Sequence, residues 1–165
     1  MRSLFSILST LAWSLWFGGL IAVFVIATGM FSRDRALALQ ANPAIFAIFE
    51  RYQLIIGAAA LICLLGWRIA GGGLLVSAIF ALLALAAAAA VIEPLAISSK
   101  MQQLVRDSQT DSPQFRKLHG YSMMLYCAEG GVLLAAGLLL PAALRRPRPQ
   151  TTLTADSPSP PAEKP

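Results

Sequence analysis

The sequence predicts an all-α protein, an integral membrane four-helix bundle with helix extensions beyond the membrane on one face. One observation is composition: 57% of the 165 residues are hydrophobic and only 13% are charged, whereas soluble domains carry about 25% charged residues. The other is that four apolar segments are each long enough to cross the roughly 30 Å hydrocarbon layer as a helix. The predicted transmembrane domain covers residues 1–141, and its helices cover about 9–31, 43–69, 74–106 and 113–140.

The first predicted helix, 9–31, lies in a charge-free run over residues 3–32. That run is too long for the apolar part of a signal peptide, so we expect a spanning helix and not a cleaved leader. The polar stretch 32–41 is predicted to be a linker. Helix two is predicted to begin at Asn42-Pro43, an N-cap residue followed by proline at the first helical position.

Three glycines at 71–73 predict a tight antiparallel hairpin between helices two and three. Helix three is alanine-rich, is predicted to be disturbed at Pro94, and then continues as a polar extension. Ser112-Pro113 gives a second cap-and-proline signal for helix four. The tail 142–165 is rich in serine, threonine and proline, and we expect it to be disordered because it cannot bury apolar surface.

The charge distribution predicts a lipid bilayer as the main partner. The net charge is +5, and lysines and arginines lie at the ends of the apolar segments, where they suit anionic headgroups. They form no basic patch with interleaved aromatics, so a nucleic-acid partner is not expected. A second copy of the chain, or another membrane protein, is the alternative partner that packing surfaces would serve.

A first candidate site consists of polar residues near one membrane surface. Charged residues at helix ends ordinarily pair in water and contribute little. However, Glu93 and His119 lie just inside the apolar boundary. A carboxyl and an imidazole held close together there could titrate near neutral pH. This interpretation predicts a site for a proton or a metal ion, formed by Glu93, Pro94, Lys100, His119, Gly120 and Ser122.

A second candidate is Glu129, which lies roughly ten residues, hence ~15 Å, inside helix four. His119, Ser122, Tyr126 and Glu129 recur at spacings of 3, 4 and 3, so they share one helical face. No lysine or arginine lies at matching depth in the other spans, and a carboxyl without a counter-ion there is expected to be protonated. The neutral candidate partners are Ser14, Thr28, Ser77 and Tyr126.

Three interpretations of Glu129 follow from that placement. It is a protonated acid that joins helices by hydrogen bonds, a carboxyl that alternately binds a proton and a cationic substrate, or part of an oligomer interface. Enzymatic functions are not expected. One histidine cannot supply the paired axial ligands of a four-helix membrane cytochrome, and the sequence has no glycine-rich phosphate loop, Ser/His/Asp set or Cys/His metal cluster. No cofactor is predicted.

Four stretches of the chain resemble the transmembrane-protein-205-like family, a four-helix membrane domain of unknown function from bacteria and eukaryotes. They are WFGGLIAVFVIATGMF, PAIFAIFERYQ, the Glu93-Pro94 segment with ISSKM, and FRKLHGYS, whose His-Gly-x-Ser is the most specific. The resemblance covers about residues 11–140. Two positions depart from the family pattern: Tyr126 stands where an asparagine is common, and Ala27-Thr28 where a proline is frequent.

The resemblance implies four spanning helices and makes the Glu93/His119 surface the shared feature; it implies no reaction. We expect the protein to lie in a bacterial inner (plasma) membrane. Together with the residues it leaves two functional hypotheses. The first is a small transport or metal/drug-tolerance protein that uses intramembrane acidic residues. The alternative is a non-catalytic structural or assembly partner that packs against another membrane protein.

Overall fold

The computed structural model describes residues 2–145, and these form four long helices and no strand. All four helices are long and apolar enough to cross a membrane, which confirms the predicted all-α four-helix bundle. The predicted disordered tail lies outside the described residues from position 146 onward. The helices are α1 (Arg2–Arg33), α2 (Arg35–Ile69), α3 (Leu74–Arg106) and α4 (Pro113–Leu144).

The helices form two antiparallel hairpins, α1 with α2 and α3 with α4, and α2 also packs along α3. The core lies where the inner faces of the helices meet. Buried positions along α3 follow one another at spacings of three and four residues, which is the pattern of a helix with one face in a bundle. They are Val76, Ile79, Leu83, Ala86, Ala90 and Glu93. Large apolar side chains also cover the outer surface, as expected of helices that face lipid.

The start of α2 differs from the prediction. Asn42-Pro43 does not cap the helix: α2 begins at Arg35, and the predicted 32–41 linker is helical except at Asp34. The Asp34 side chain accepts hydrogen bonds from the backbone N–H groups of Ala36 and Leu37 at 2.9 and 3.1 Å. A carboxylate that satisfies two free helical N–H groups is an N-cap, so α1 and α2 are joined through one residue.

The sequence signal at Asn42-Pro43 misled because proline is tolerated inside a helix when its ring faces outward. Pro43 is exposed and lies inside α2, eight residues after its first residue Arg35, where it leaves one backbone hydrogen bond unmade. Asn42 is buried, and its Oδ1 has no hydrogen-bond partner. At helix four, by contrast, the predicted cap is confirmed: Ser112 Oγ accepts from Phe115 N at 3.1 Å.

The predicted hairpin between α2 and α3 is observed at the three glycines. Gly71 has a φ of +93°, in the left-handed region that favours glycine, and α3 begins at Leu74. At Pro94, where the sequence predicts a disturbance of helix three, the helix widens into a π-helical turn. Residues Glu93–Ser98 are π-helical, and the backbone N–H of Ser99 reaches the carbonyl of Pro94 five residues back. This turn places Glu93 at the start of a π segment, a feature frequent at functional sites.

The bundle predicts the membrane topology. Four crossings place both ends of the described chain on one side together with Gly71, and place Asp34 and Gln109 on the other. Reporter fusions after Gln109 and after Leu144 in a cell are therefore expected to report opposite compartments. Fusions that report the same compartment would contradict four crossings.

Candidate functional site

Three carboxyl groups are buried between the helices, and we call them, with Tyr126, the acidic cluster. Glu50 comes from α2, Glu93 from α3 and Glu129 from α4, and they are 9%, 3% and 2% exposed. Tyr126 is one helical turn before Glu129. The cluster reaches from the boundary of the apolar region to the middle of the bundle, because Ser122, which contacts Glu93, and Glu129 are roughly 10 Å apart along α4.

Glu93 is held at one oxygen only. Its Oε1 accepts a hydrogen bond of 2.8 Å from Ser122 Oγ on α4. Its Oε2 is buried and has no hydrogen-bond partner, although the Glu50 carboxyl and the Tyr126 phenol lie near it. The predicted association of Glu93 with Ser122 is therefore present as a direct contact between α3 and α4.

Glu129 is held by a residue that sequence reasoning missed. Its Oε1 accepts a hydrogen bond of 3.0 Å from the indole Nε1 of Trp16, which has no exposed surface. Three of the neutral partners considered from the sequence do not bond it: the hydroxyls of Ser14 and Thr28 donate to carbonyls of their own helix, and the Tyr126 hydroxyl makes no hydrogen bond. Trp16 thus links α1 to α4 in the middle of the bundle.

Tyr126 is the aromatic member of the cluster. Its hydroxyl is buried without a hydrogen-bond partner. Its ring packs against Phe46 and Phe49 of α2, with centroid separations of 5.7 and 6.4 Å. Its phenol lies near the carboxyls of Glu93 and Glu50.

The remaining predicted site residues lie outside the cluster. His119 is exposed, and its ring stacks on Phe115 with a centroid separation of 6.4 Å. Gly120 and Lys100 are exposed, and Pro94 is half-buried beside Glu93. The structure does not pair an acid with the imidazole. Within residues 2–145, no group of three or more His, Cys, Asp and Glu side chains is arranged to hold a metal ion.

Within residues 2–145, the acidic cluster has no buried basic side chain to balance its carboxyls. No lysine, arginine or histidine is among the buried side chains of the described chain. Carboxylates that share a poorly solvated space repel one another, and each loses its hydration. The cluster therefore needs protons or a bound cation to neutralise it.

Gln53 adds unpaired polar groups next to the acids. It has no exposed surface, and neither its Oε1 nor its Nε2 has a hydrogen-bond partner. Glu50 and Gln53 are three residues apart and lie on the inner face of α2 with Gly57. The spacing of three and four residues between Glu50, Gln53 and Gly57 was visible in the sequence. It was overlooked because Glu50 stands next to the exposed Arg51 and looks like half of a surface ion pair. Adjacent residues of a helix do not face each other, so the two do not form such a pair.

The Ser122–Glu93 contact yields a stability prediction. Replacing Ser122 with alanine removes the hydrogen bond to a buried carboxyl, and we expect a loss of about 1–3 kcal/mol in the free energy of unfolding. The measurement is unfolding in mixed micelles followed by circular dichroism. Ser99→Ala is the matched control, because the Ser99 hydroxyl is exposed and bonds its own helix at Leu95. An equal loss in both variants would contradict the contact.

Comparison with known proteins adds no identity. No protein-family model and no curated protein matches the sequence, and no solved structure matches the fold.

Proposed function

We propose that this multi-pass membrane protein is a small, non-enzymatic transport or tolerance protein of a bacterial inner membrane. In this proposal, its buried carboxyls release protons when they bind a cationic substrate. One observation carries the proposal: three carboxyls are buried inside the bundle, Glu50 beside Glu93 and Glu129 deeper along α4, and no buried basic side chain of the described chain neutralises them. A carboxyl that carries a proton in one state and binds a cation in the other has its charge neutralised in both.

The incomplete hydrogen bonding of the cluster supports exchange over a purely structural role. Acids that only hold helices together are expected to have their polar atoms satisfied. Here neither atom of the Gln53 amide has a partner. Glu93 Oε2 makes no direct hydrogen bond, although the Tyr126 hydroxyl and the Glu50 carboxyl lie beside the Glu93 carboxyl. Because the described residues offer no metal-binding group, an organic cation fits the cluster better than a metal ion does.

Carbodiimide labelling in liposomes tests this proposal. The reagent modifies protonated carboxyls in apolar surroundings. We expect Glu93 and Glu129 to be labelled, labelling to fall as pH rises, and naphthylmethyl-trimethylammonium to protect them. That ion is a suitable probe because its charge is independent of pH. Glu93→Gln and Glu129→Gln identify the labelled positions, and Glu129→Gln keeps an acceptor for Trp16.

Two outcomes would contradict exchange: carboxyls that stay unlabelled at every pH, or labelling that the cation leaves unchanged. Both would favour the alternative, a structural or assembly partner. A specific observation supports that alternative, because a Cβ added at Gly18 or Gly29 of α1 would meet no atom within 4 Å. Open glycines on an outer face let another helix approach closely.

Membership in the transmembrane-protein-205-like family stays a prediction within this proposal. The quoted motifs place Glu93 and Ser122, which are in contact, in the two most informative stretches. His119, from the same motif, is exposed. We therefore propose that the functional part of the resemblance is the Glu93–Ser122 contact and not a histidine–acid pair.

A further inference from the structure

A groove runs along the outside of the bundle between α2 and α3, next to the acidic cluster. It encloses about 280 Å³, close to the lower end of the range for small-molecule sites. Its walls are apolar, with Leu54 and Leu61 on α2 and Ala87 and Val91 on α3. A groove with this lining opens toward the acyl chains of the bilayer.

The polar residue of the groove is Gln53. Its side chain lines the groove, has no exposed surface, and leaves both amide atoms without hydrogen-bond partners. Ala90 lines the groove opposite. The groove therefore holds one unused polar side chain, Gln53, whose Oε1 is a hydrogen-bond acceptor.

Two residues that line the groove, Gln53 and Ala90, lie one helical turn from a buried acid. Gln53 follows Glu50 by three residues, and Ala90 precedes Glu93 by three, which is roughly 4.5 Å along each helix axis. All four helices contribute polar groups near the end of the groove beside the acidic cluster. They are Glu50 from α2, Glu93 from α3, Tyr126 and Glu129 from α4, and Trp16 from α1, which donates a hydrogen bond to Glu129. No buried cation of the described chain opposes them.

These features select among occupants. An acyl chain fills apolar space but leaves the Gln53 amide unpaired, which costs free energy in lipid. A helix from a second copy has its backbone groups already bonded within itself and leaves the amide equally unpaired. An organic ammonium ion with an N–H group satisfies an acceptor, brings positive charge to the acids, and places its apolar body against the leucines.

We propose that the α2–α3 groove binds a lipophilic organic ammonium ion that bears at least one N–H, entering from the lipid, with Gln53 Oε1 accepting its N–H. This inference rests on the proposed exchange of protons for a cation and names the substrate class. A quaternary ion of the same shape brings the charge but has no proton to donate. The N–H preference is thus the property that separates this inference from the proposed function.

Equilibrium binding in lipid nanodiscs tests the preference with a matched pair of ligands. Radiolabelled naphthylmethyl-dimethylammonium has one N–H, and its trimethylammonium analogue has none. Empty nanodiscs measure partition into lipid. We expect the full-length protein to bind the N–H ion at least about tenfold more tightly than the quaternary ion, as a charge-assisted hydrogen bond implies.

Two pairs of variants locate the site. Gln53→Leu is expected to abolish the preference, so that both ions bind with the weaker affinity, while Gln103→Leu, at an exposed position of α3, keeps it. Ala87→Leu fills the groove and is expected to remove binding of both ions. Ala22→Leu, on the exposed face of α1, leaves binding unchanged.

Several results would overturn the inference. They are equal affinities for the two ions in the unmodified protein, an undiminished preference in Gln53→Leu, and binding no greater than in empty nanodiscs. A change of oligomeric state in Ala87→Leu would assign the groove to a second copy, and a phospholipid that the ions do not displace would assign it to lipid. If the quaternary ion protects Glu93 from carbodiimide but no N–H preference is found, only this inference fails and the proposed function stands.

Discussion

Replacing Trp16 with alanine is expected to lower the free energy of unfolding by about 3 kcal/mol, within the range for large-to-small changes of buried aromatics. Trp16 has no exposed surface, and the position that a Cβ on Gly57 would take is 2.9 Å from its ring. The alanine variant leaves an empty space between α1, α2 and α4. It also removes the donor to Glu129 Oε1. Unfolding by sodium dodecyl sulfate in mixed micelles, followed by circular dichroism, measures the loss.

Two further variants separate packing from hydrogen bonding. Trp16→Phe keeps an aromatic ring but has no N–H, so we expect a loss of about 1–2 kcal/mol. Phe24→Ala, at a half-exposed position on the outer face of α1, is expected to change stability little. If the Trp16→Ala variant were no less stable than the Phe24→Ala variant, the result would contradict the placement of Trp16 at the centre of the bundle.

Replacing Gly137 with valine is expected to push α1 away from α4 and to cost about 1–3 kcal/mol. A Cβ at this position would overlap the indole of Trp13, with other ring atoms at 2.7 and 2.8 Å. That ring cannot easily move aside, because its Nε1 donates a hydrogen bond of 2.7 Å to the carbonyl of Leu133. Relief of the overlap therefore breaks this bond or shifts a helix. The same unfolding measurement applies.

Gly131→Val is the matched control for this change. Gly131 is also in α4, and a Cβ there would meet nothing within 4 Å, so only the small propensity difference between glycine and valine in a helix is expected. Equal destabilisation by the two variants would show that close approach at Gly137 does not matter. A selective loss at Gly137 would support the packing of α1 on α4.

The architecture was predictable because long apolar helices leave a strong pattern in sequence. The glycines before Leu74 mark the start of α3, but its inner face was not predictable, because residues 74–92 are apolar on every side. The start of α2 was not predictable from the same rules. Pro43 satisfies the sequence rule for a first helical position, but an aspartate eight residues before Asn42 caps the helix more effectively, with two backbone donors.

The site was predictable where one helix carried it, and at one contact between helices, that of Glu93 with Ser122. Ser122, Tyr126 and Glu129 share a face of α4, and that spacing was visible. The other contacts between helices were not visible, since nothing local in the sequence indicates that Trp16 meets Glu129 or that Glu50 approaches Glu93. The prediction that His119 faces the acids was wrong. It lies one turn before Ser122 in the sequence, but its exposed ring stacks on Phe115.

The most direct test of proton–cation exchange is proton release on ligand binding. Naphthylmethyl-trimethylammonium is added to the protein in weakly buffered nanodiscs, and the pH change is followed with a soluble indicator. Because this ion carries no exchangeable proton, released protons come from the protein. The account predicts release in the unmodified protein and a reduced release in Glu93→Gln. Binding of the cation without proton release, or release undiminished by that substitution, would contradict it.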